Sequence, residues 1–425
     1  MSQPLPETPD GVGTARPRPS ILADARIVLG VSGGIAAYKA ADLASKLVQA
    51  GATVDVILTA GAREFIQPLT FQALTKRPVY SGAFEGWSDS FFGHITLARD
   101  ADALLVAPAT ANTLARLAGG FADDMLHAVA LSTRAPLVIA PAMEQQMWRH
   151  PATQENVATL VGRGATIVPP ASGRLASGYE GEGRLAPTAS IVGVLRGVLG
   201  RDGALAGRHV VVTAGGTQEP LDPVRFIGNR SSGQMGVALA EAARDRGAAV
   251  TLIAGPTVRD VPSAAHSLST ARVGSASELL VAVQSATENA DVLIMAAAVA
   301  DFRPRQTATQ KIKKQAGQET VMVELVRNPD VVGSIDRPGL LKVGFAAETE
   351  DLVANARQKL GAKGLALIVA NDAVATIGSA ESTATLLRCD REPQPLPRMS
   401  KDALAAVILE EIAMMLDERG AVDDA

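Results

Sequence analysis

Ser32, Gly33 and Gly34 stand in "GVSGGIAAYKA", where the apolar run "RIVLGV" gives way to a helical pattern. A turn from strand to helix leaves backbone N–H groups free at the positive end of a helix dipole, and a phosphate suits it. The spacing is not the G-x-G-x-x-G of dinucleotide sites, so a purely steric need for glycine is the competing reading. A second apolar strand end, "APATANTLARLAGGFADD", supplies Thr110, Asn112 and Thr113 at a helix start. Ligands of open α/β sheets bind at the carboxyl ends of strands, so the two turns share one crevice. Between them lies "FFGHITLARDAD". A lone histidine is most often a satisfied core residue, but Phe91, Phe92 and Gly93 read as a loop beside a pocket, which makes His94 a catalytic candidate. The segment "APAMEQQMWRHPATQ" brings Met143, Met147 and Trp148 together with one carboxylate, Glu144. A carboxyl desolvated among such groups is expected to have a raised pKa, to hydrogen-bond a substrate carboxylate while neutral, and to supply a proton.

The second half has its own loop, "TAGGTQEPLDPVRFIGNRSSGQMG", with two glycine clusters, Arg225 and Asn229 between a strand and a helix. It can wrap a triphosphate with backbone N–H groups, although it lacks the G-K-[ST] of a P-loop. Downstream, "AAAVADFRPRQTATQKIKK" sets Asp301 at a strand end ahead of Lys311, Lys313 and Lys314. A lysine run is usually a solvated face. Behind a strand-end acid it fits a nucleotide whose ribose or base meets Asp and whose phosphates meet Lys. "RNPDVV", "GFAAETED" and "RQKLGAKG" add Asn328, Pro329, Asp330, Val331, Phe345, Lys359 and Lys363, the last two at i and i+4 on one helix face.

These residues need strands and helices to hold them, and the chain alternates the two. "RIVLGV", "TVDVILT", "ADALLVAP", "APLVIAP" and "ATIVPP" are spaced by helical patterns, and the series restarts with "HVVVTAGG", "AVTLIAG", "ADVLIMAAA", "LKVGFAAE", "LALIVAND" and "ATLLRC". Such alternation predicts an α/β protein of two doubly wound, Rossmann-like domains with mainly parallel sheets. A length of 425 residues suits two domains. The expected division is a disordered Pro-rich tail over 1–22, a flavodoxin-like domain over 23–199 and a Rossmann-like domain over 200–425. Hydrophobic residues make up 47%, in runs too short to span a membrane, and the tail has no signal-like apolar stretch, so a cytoplasmic protein is expected. The single cysteine, Cys389, excludes an intrachain disulfide, and a net charge of −4 gives no reason to expect nucleic acid.

"SGGIAAYK", "HITLA", "APATANT", "PAMEQQMW" and "GRLASGYEGEGRLAP", in this order, resemble the homo-oligomeric flavin-containing cysteine decarboxylases. The resemblance implies FMN, held by Ser32, Gly33, Gly34, Thr59, Thr110, Asn112 and Thr113, with His94 as the catalytic histidine. It implies a substrate gripped by Met143, Met147 and Arg184, under a flap formed by "LASGYEGEGRL". Two positions depart from the family, which usually has Asn at Glu144 and Cys at Ser177, the residues assigned to carboxylate binding and final proton donation. Either this half has decayed to a scaffold, or a neutral Glu144 compensates for a serine that is a poor proton source.

"EPLDPVRFIGNRSSG", "AAAVADFRP", "KIKK", "NPD" and "GFAAET" closely resemble the bacterial phosphopantothenate–cysteine ligases. The fused pair therefore resembles the bifunctional decarboxylase/ligase family of coenzyme A synthesis. That implies CTP and Mg²⁺, with Asp301, Lys311, Asn328, Pro329, Asp330, Val331, Phe345, Lys359 and Lys363 holding the nucleotide. Arg225 and Asn229 would serve the acyl-cytidylate made from 4′-phosphopantothenate and its attack by L-cysteine. The resemblance also implies a homo-oligomer of trimeric flavin domains and dimeric ligase domains, together a dodecamer. A double-Rossmann dehydrogenase is the remaining alternative, and the glycine spacing disfavours it.

Overall fold

The computed structural model describes residues 20–82, 93–259, 261, 267–313, 319–348, 352–372 and 381–423. In its first half, β1 (Arg26–Val31), β2 (Thr53–Leu58), β3 (Val79–Tyr80), β4 (Ala103–Ala109), β5 (Leu137–Pro141) and β6 (Thr166–Ile167) form one parallel sheet in the order 3-2-1-4-5-6. The central strands are continuous apolar runs because helices cover both faces. Helix Lys39–Gln49 shows how: it buries Ala40, Leu43, Ala44 and Leu47, one stripe at helical spacing. The doubly wound expectation holds, but the flavodoxin-like order, 2-1-3-4-5, is corrected. With β4 next to β1, the winding reverses between these two strands, and the crevice opens at their carboxyl ends.

The flap motif forms a hairpin outside the sheet, β7 (Ala171–Arg174) with β8 (Glu180–Arg184). The second half places β9 (His209–Ala214) beside β12 (Ala249–Ala254) and β14 (Val292–Met295), with β13 (Leu268–Arg272), β17 (Leu341–Glu348) and β18 (Leu367–Asp372) completing the same 3-2-1-4-5-6 pattern. Two antiparallel strands, β19 (Glu381–Arg388) and β20 (Gln394–Ser400), extend it to eight. Two further hairpins, β10 (Gln218–Pro220) with β11 (Phe226–Gly228) and β15 (Phe302–Pro304) with β16 (Leu325–Arg327), stand at its carboxyl edge.

Helix Thr188–Gly200 leaves the first sheet and meets helix Gln234–Arg244 of the second half. There Arg196 donates to Asp245 Oδ2 at 2.6 and 2.9 Å and to Glu241 Oε2 at 3.1 Å, while the buried Arg244 donates to Asp245 Oδ1 at 3.0 Å. Burial works against the Arg196 charge, and Asp245 and Glu241 more than offset it, leaving its pKa raised.

Candidate functional sites at the two strand crevices

The first crevice is organised by Ser32. Its buried hydroxyl donates to the Pro108 carbonyl at 2.7 Å and accepts from Thr110 N at 2.9 Å, pinning the end of β1 to the end of β4. Both functions of the hydroxyl are engaged, so Ser32 shapes the turn and leaves ligand contacts to the backbone. Thr110 caps helix Ala111–Gly119: Thr113 N donates to its Oγ1 at 3.3 Å and Leu114 N to its carbonyl at 2.9 Å. The N–H groups of Ala111 and Asn112 remain for an anion at this helix end.

Above these turns lies a cleft of about 650 Å³, a size that suits a small ligand or cofactor. Gly33, Gly34, Thr110, Met143, Glu144 and Met147 line it, and Ser177 and Arg184 close it from the hairpin. Ser32, Thr59, Asn112, Thr113 and His94 do not line it. Thr59 caps the short helix Ala60–Arg63, and Thr113 is buried. His94 is half-buried on the first turn of helix Gly93–Asp100, which corrects the expectation of a loop there; Phe91 and Phe92 lie outside the described residues.

The flap, expected to close over the substrate, is hydrogen-bonded to the segment that carries Met143 and Glu144. Gly183 O accepts from Met143 N at 2.9 Å. A Cβ on Gly183 would stand 2.2 Å from Met143 O, so glycine at this position is what allows the approach, whereas one on Gly181 would displace only the Gln145 side chain. Glu144 caps helix Gln145–Arg149, its Oε2 accepting from Gln146 N at 2.5 Å, and Oε1 has no hydrogen bond among the described residues. A carboxyl that accepts through one oxygen and donates through the other makes the same pair of bonds as an amide. The apolar enclosure expected around it is only partly present: Met147 is 49% exposed, and the buried Trp148 does not line the cleft. The three turns, the leftover N–H donors and the apolar wall fit a flavin mononucleotide in composition and size.

In the second half, β9 and β14 are joined at their ends. Ala297 N donates to Thr213 Oγ1, Ala300 N to Thr217 Oγ1, and Ala298 N to the Gly215 carbonyl. Within the long glycine loop, Gln218–Gly228 forms the β10–β11 hairpin. Asn229 follows it and donates to the Val299 carbonyl at 2.9 Å, so it sits over the junction of the two strands. Arg225 does not stand free. Its guanidinium donates to Asp222 Oδ2 at 2.6 and 3.0 Å and to the Ile312 carbonyl at 2.7 Å, while Ile312 N donates back to Asp222 Oδ2 at 3.1 Å. Arg225, helped by the backbone N–H groups around it, holds the Asp222 carboxyl well below the usual carboxylate range against the opposing effect of burial. Asp222 thereby docks the segment that carries Lys311 onto the hairpin that carries Arg225. Sequence reasoning missed it, although Asp before Pro with Arg three residues on is a turn signature.

The β15–β16 hairpin brings Asp301 and Asn328 together: Asn328 N donates to the Asp301 carbonyl at 2.8 Å, and its side chain accepts from Arg303 at 3.0 Å. Pro329 and the buried Val331 follow, and Asp330 pairs with Lys363 at 3.1 Å. Lys359 lies in the last turn of helix Leu352–Ala362, whereas Lys363 follows the helix end, which corrects the expectation of both on one helix; Lys363 N donates to the Lys359 carbonyl. Phe345 is one residue beyond the Met295–Gly344 pair of β14 and β17, at the same strand edge. Lys311 and Lys313 are exposed, and Lys314 lies outside the described residues.

Among the described residues no group of three or more His, Cys, Asp or Glu side chains is arranged to hold a metal ion, and no helix is long and apolar enough to cross a membrane. A family model described as "Flavoprotein" matches residues 16–200, and one described as "DNA/pantothenate metabolism flavoprotein C-terminal domain" matches residues 205–416. The coenzyme A biosynthesis bifunctional protein CoaBC of Vibrio cholerae is 45% identical over 91% of this chain and 98% of its own length. Its namesake from Bacillus subtilis is 44% identical over 94% and 99%. A crystal structure of the C-terminal domain of a CoaBC protein is 38% identical, with a TM-score of 0.43, covering 51% of this chain and 98% of the other. At these identities over nearly the full length of its relatives, the chain belongs to the family of coenzyme A biosynthesis bifunctional proteins.

Proposed function

We propose that the crevice of residues 200–425 joins 4′-phosphopantothenate to L-cysteine at the expense of CTP, and that the crevice of residues 23–199 decarboxylates the product to 4′-phosphopantetheine with FMN. The observation that carries the reading is that each sheet reverses its winding beside its first strand and gathers its family motifs at that point.

In the ligase half, Asp301, Asn328, Pro329, Val331 and Phe345 hold the base and ribose, and Lys311, Lys359 and Lys363 face the triphosphate. The acyl carboxylate attacks the α-phosphorus and pyrophosphate leaves. The cysteine amine then attacks the acyl carbon, its proton goes to solvent, and CMP departs. Arg225 and Asn229 orient the acyl-cytidylate, and Asp222 positions Arg225. The lysines neutralise charge that builds on the transferring phosphate, and Mg²⁺ enters with the nucleotide.

In the flavin half, bound FMN supplies a reversible two-electron acceptor for the cysteinyl thiol, which is what makes loss of CO₂ possible without net redox change. Backbone groups at Gly33, Gly34 and the start of helix Ala111–Gly119 hold its phosphate, and Met143, Met147 and Arg184 grip the substrate. His94 is the catalytic histidine. Glu144 holds the substrate carboxylate and, from Oε1, returns a proton to the carbon that has lost CO₂. The hairpin carrying Ser177 excludes water. The two halves assemble as trimers and dimers respectively.

His94→Asn tests the division of labour. The variant is expected to retain flavin absorption and cysteine ligation and to release no CO₂. Parental CO₂ release would remove His94 from the mechanism. The departures at Glu144 and Ser177 favour one rival reading, an active ligase with a scaffold-only flavin half, and that rival predicts no CO₂ from the parental protein.

A further inference from the structure

In the second half, the β10–β11 hairpin leans on the start of helix Ala276–Thr287 and on the β15–β16 hairpin, and a cavity of about 440 Å³ lies among them. Glu219 of β10 lines it and is only 1% exposed. Its Oε1 accepts from Ala276 N at 2.9 Å, and its Oε2 has no hydrogen bond among the described residues. A buried carboxylate oxygen without a donor is costly unless a ligand brings one. Arg303 of β15 lines the same cavity, half-buried. Its Nη1 donates to the Arg327 carbonyl at 2.9 Å and to Asn328 Oδ1 at 3.0 Å, while Nε and Nη2 have no acceptor among the described residues. Glu219 and Arg303 do not pair with each other. The other charges of the lining are engaged: Asp222 with Arg225, and the exposed Glu278 at the helix cap, where its Oε2 accepts from Gly274 N at 2.7 Å.

The cavity therefore presents one open carboxylate oxygen and one open guanidinium edge, held apart. A small molecule that carries an ammonium and a carboxylate together satisfies both with charge-assisted bonds, and an α-amino acid is that molecule. Pro220, Phe226 and Pro256 give the lining an apolar part that suits a small uncharged side chain. Arg225 lines the cavity too, and in the reading above it orients the acyl-cytidylate, so an amine held here stands beside the group it attacks. We infer that this cavity is the amino-acid subsite of the ligase, with Glu219 receiving the ammonium and Arg303 the carboxylate of L-cysteine, so that this half selects an α-amino acid over a simple amine. The inference rests on the reading that this half ligates cysteine.

The experiment gives the full chain 4′-phosphopantothenate and CTP with either L-cysteine or cysteamine, which lacks the carboxylate, and compares the parent with Glu219→Gln, Arg303→Gln and Arg303→Lys. Glu219→Gln keeps an acceptor for Ala276 N and loses the charge. It is expected to raise KM about 10-fold or more for both amines, because each loses the same charge-assisted bond. The pyrophosphate released before any amine is added is expected to stay at the parental amount. In Arg303→Gln the ratio of kcat/KM for L-cysteine over cysteamine is expected to fall about 10-fold or more, and Arg303→Lys is expected to restore part of it. A merely structural arginine would weaken both amines alike and leave that ratio unchanged, which would overturn the subsite. An unchanged KM for L-cysteine in Glu219→Gln, or loss of the early pyrophosphate, would overturn the place given to Glu219. If the parent makes no pyrophosphate and no ligation product, the reading of this half has failed, and equilibrium dialysis of labelled L-cysteine then decides the subsite alone. Retention by the parent and not by the Gln variants upholds it, and no retention by the parent, or equal retention by all, refutes it.

Discussion

Arg196→Ala removes the central cation from the contact between helix Thr188–Gly200 and helix Gln234–Arg244. Arg196 makes bonds of 2.6, 2.9 and 3.1 Å to Asp245 and Glu241. Breaking a buried ion pair typically costs ~3–5 kcal/mol because a charge is left uncompensated. Here the loss is smaller, since Asp245 keeps Arg244 at 3.0 Å and Glu241 is 30% exposed and can rehydrate. About 2–3 kcal/mol follows. At roughly 2–4 °C per kcal/mol for a unit of this size, the melting transition that reports this contact should fall by about 4–12 °C. Differential scanning calorimetry reads the shift, and limited proteolysis should find the connector 201–208 cut sooner. Arg196 lies in neither crevice, so ligation and CO₂ release at 25 °C should stay near parental rates. A Tm within 1 °C of the parent (~1 °C being about 0.3–0.5 kcal/mol), with parental cleavage of the connector, would refute the idea that this network fixes the two halves together.

Lys311→Ala should raise the KM for CTP by about 10-fold or more while leaving flavin absorption alone, as loss of a phosphate contact requires; steady-state kinetics at varied CTP checks it. Asp222 sets a pH dependence. Its folded pKa lies below the ordinary value, so its contribution is complete above about pH 4 and is lost as pH falls through the folded value. Hydrogen exchange across 218–228 should therefore stay slow down to about pH 4 and quicken below it, whereas Asp222→Asn should exchange fast at every pH. Gly183→Ala should displace the flap, because a Cβ there meets Met143 O at 2.2 Å, and CO₂ release should drop while ligation persists.

The sheets were legible because their central strands are continuous apolar runs, which only a sheet covered on both faces tolerates. "RIVLGV", "ADALLVAP" and "HVVVTAGG" became β1, β4 and β9. The small hairpins were not. "QEP" with "FIG" and "FRP" with "LVR" are three-residue strands whose pairing is set by what they dock against, and no local pattern encodes that. β20, "QPLPRMS", carries prolines and reads as loop, yet as an edge strand it has no further strand to supply with N–H donors. Motif residues such as Glu144, Arg184 and Asn328 were visible as motifs, but their partners were not. Ser32 looks like a phosphate ligand until its hydroxyl is found between Pro108 and Thr110. Lys39 looks like an ordinary helix lysine until the hairpin of Arg174 and Arg184 is folded over the same cleft. Both depend on segments far apart in the chain; the partners of Ser32 lie 76 and 78 residues away.

The central claim is that one chain performs both reactions. The direct measurement incubates the flavin-loaded protein with 4′-phosphopantothenate, CTP and L-cysteine labelled at its carboxyl carbon, and follows CMP and labelled CO₂ together. The account predicts CMP first, then labelled CO₂ rising to match it mole for mole, with 4′-phosphopantetheine as the final product. CMP without labelled CO₂, and 4′-phosphopantothenoylcysteine accumulating in its place, would contradict it and leave the flavin half a scaffold.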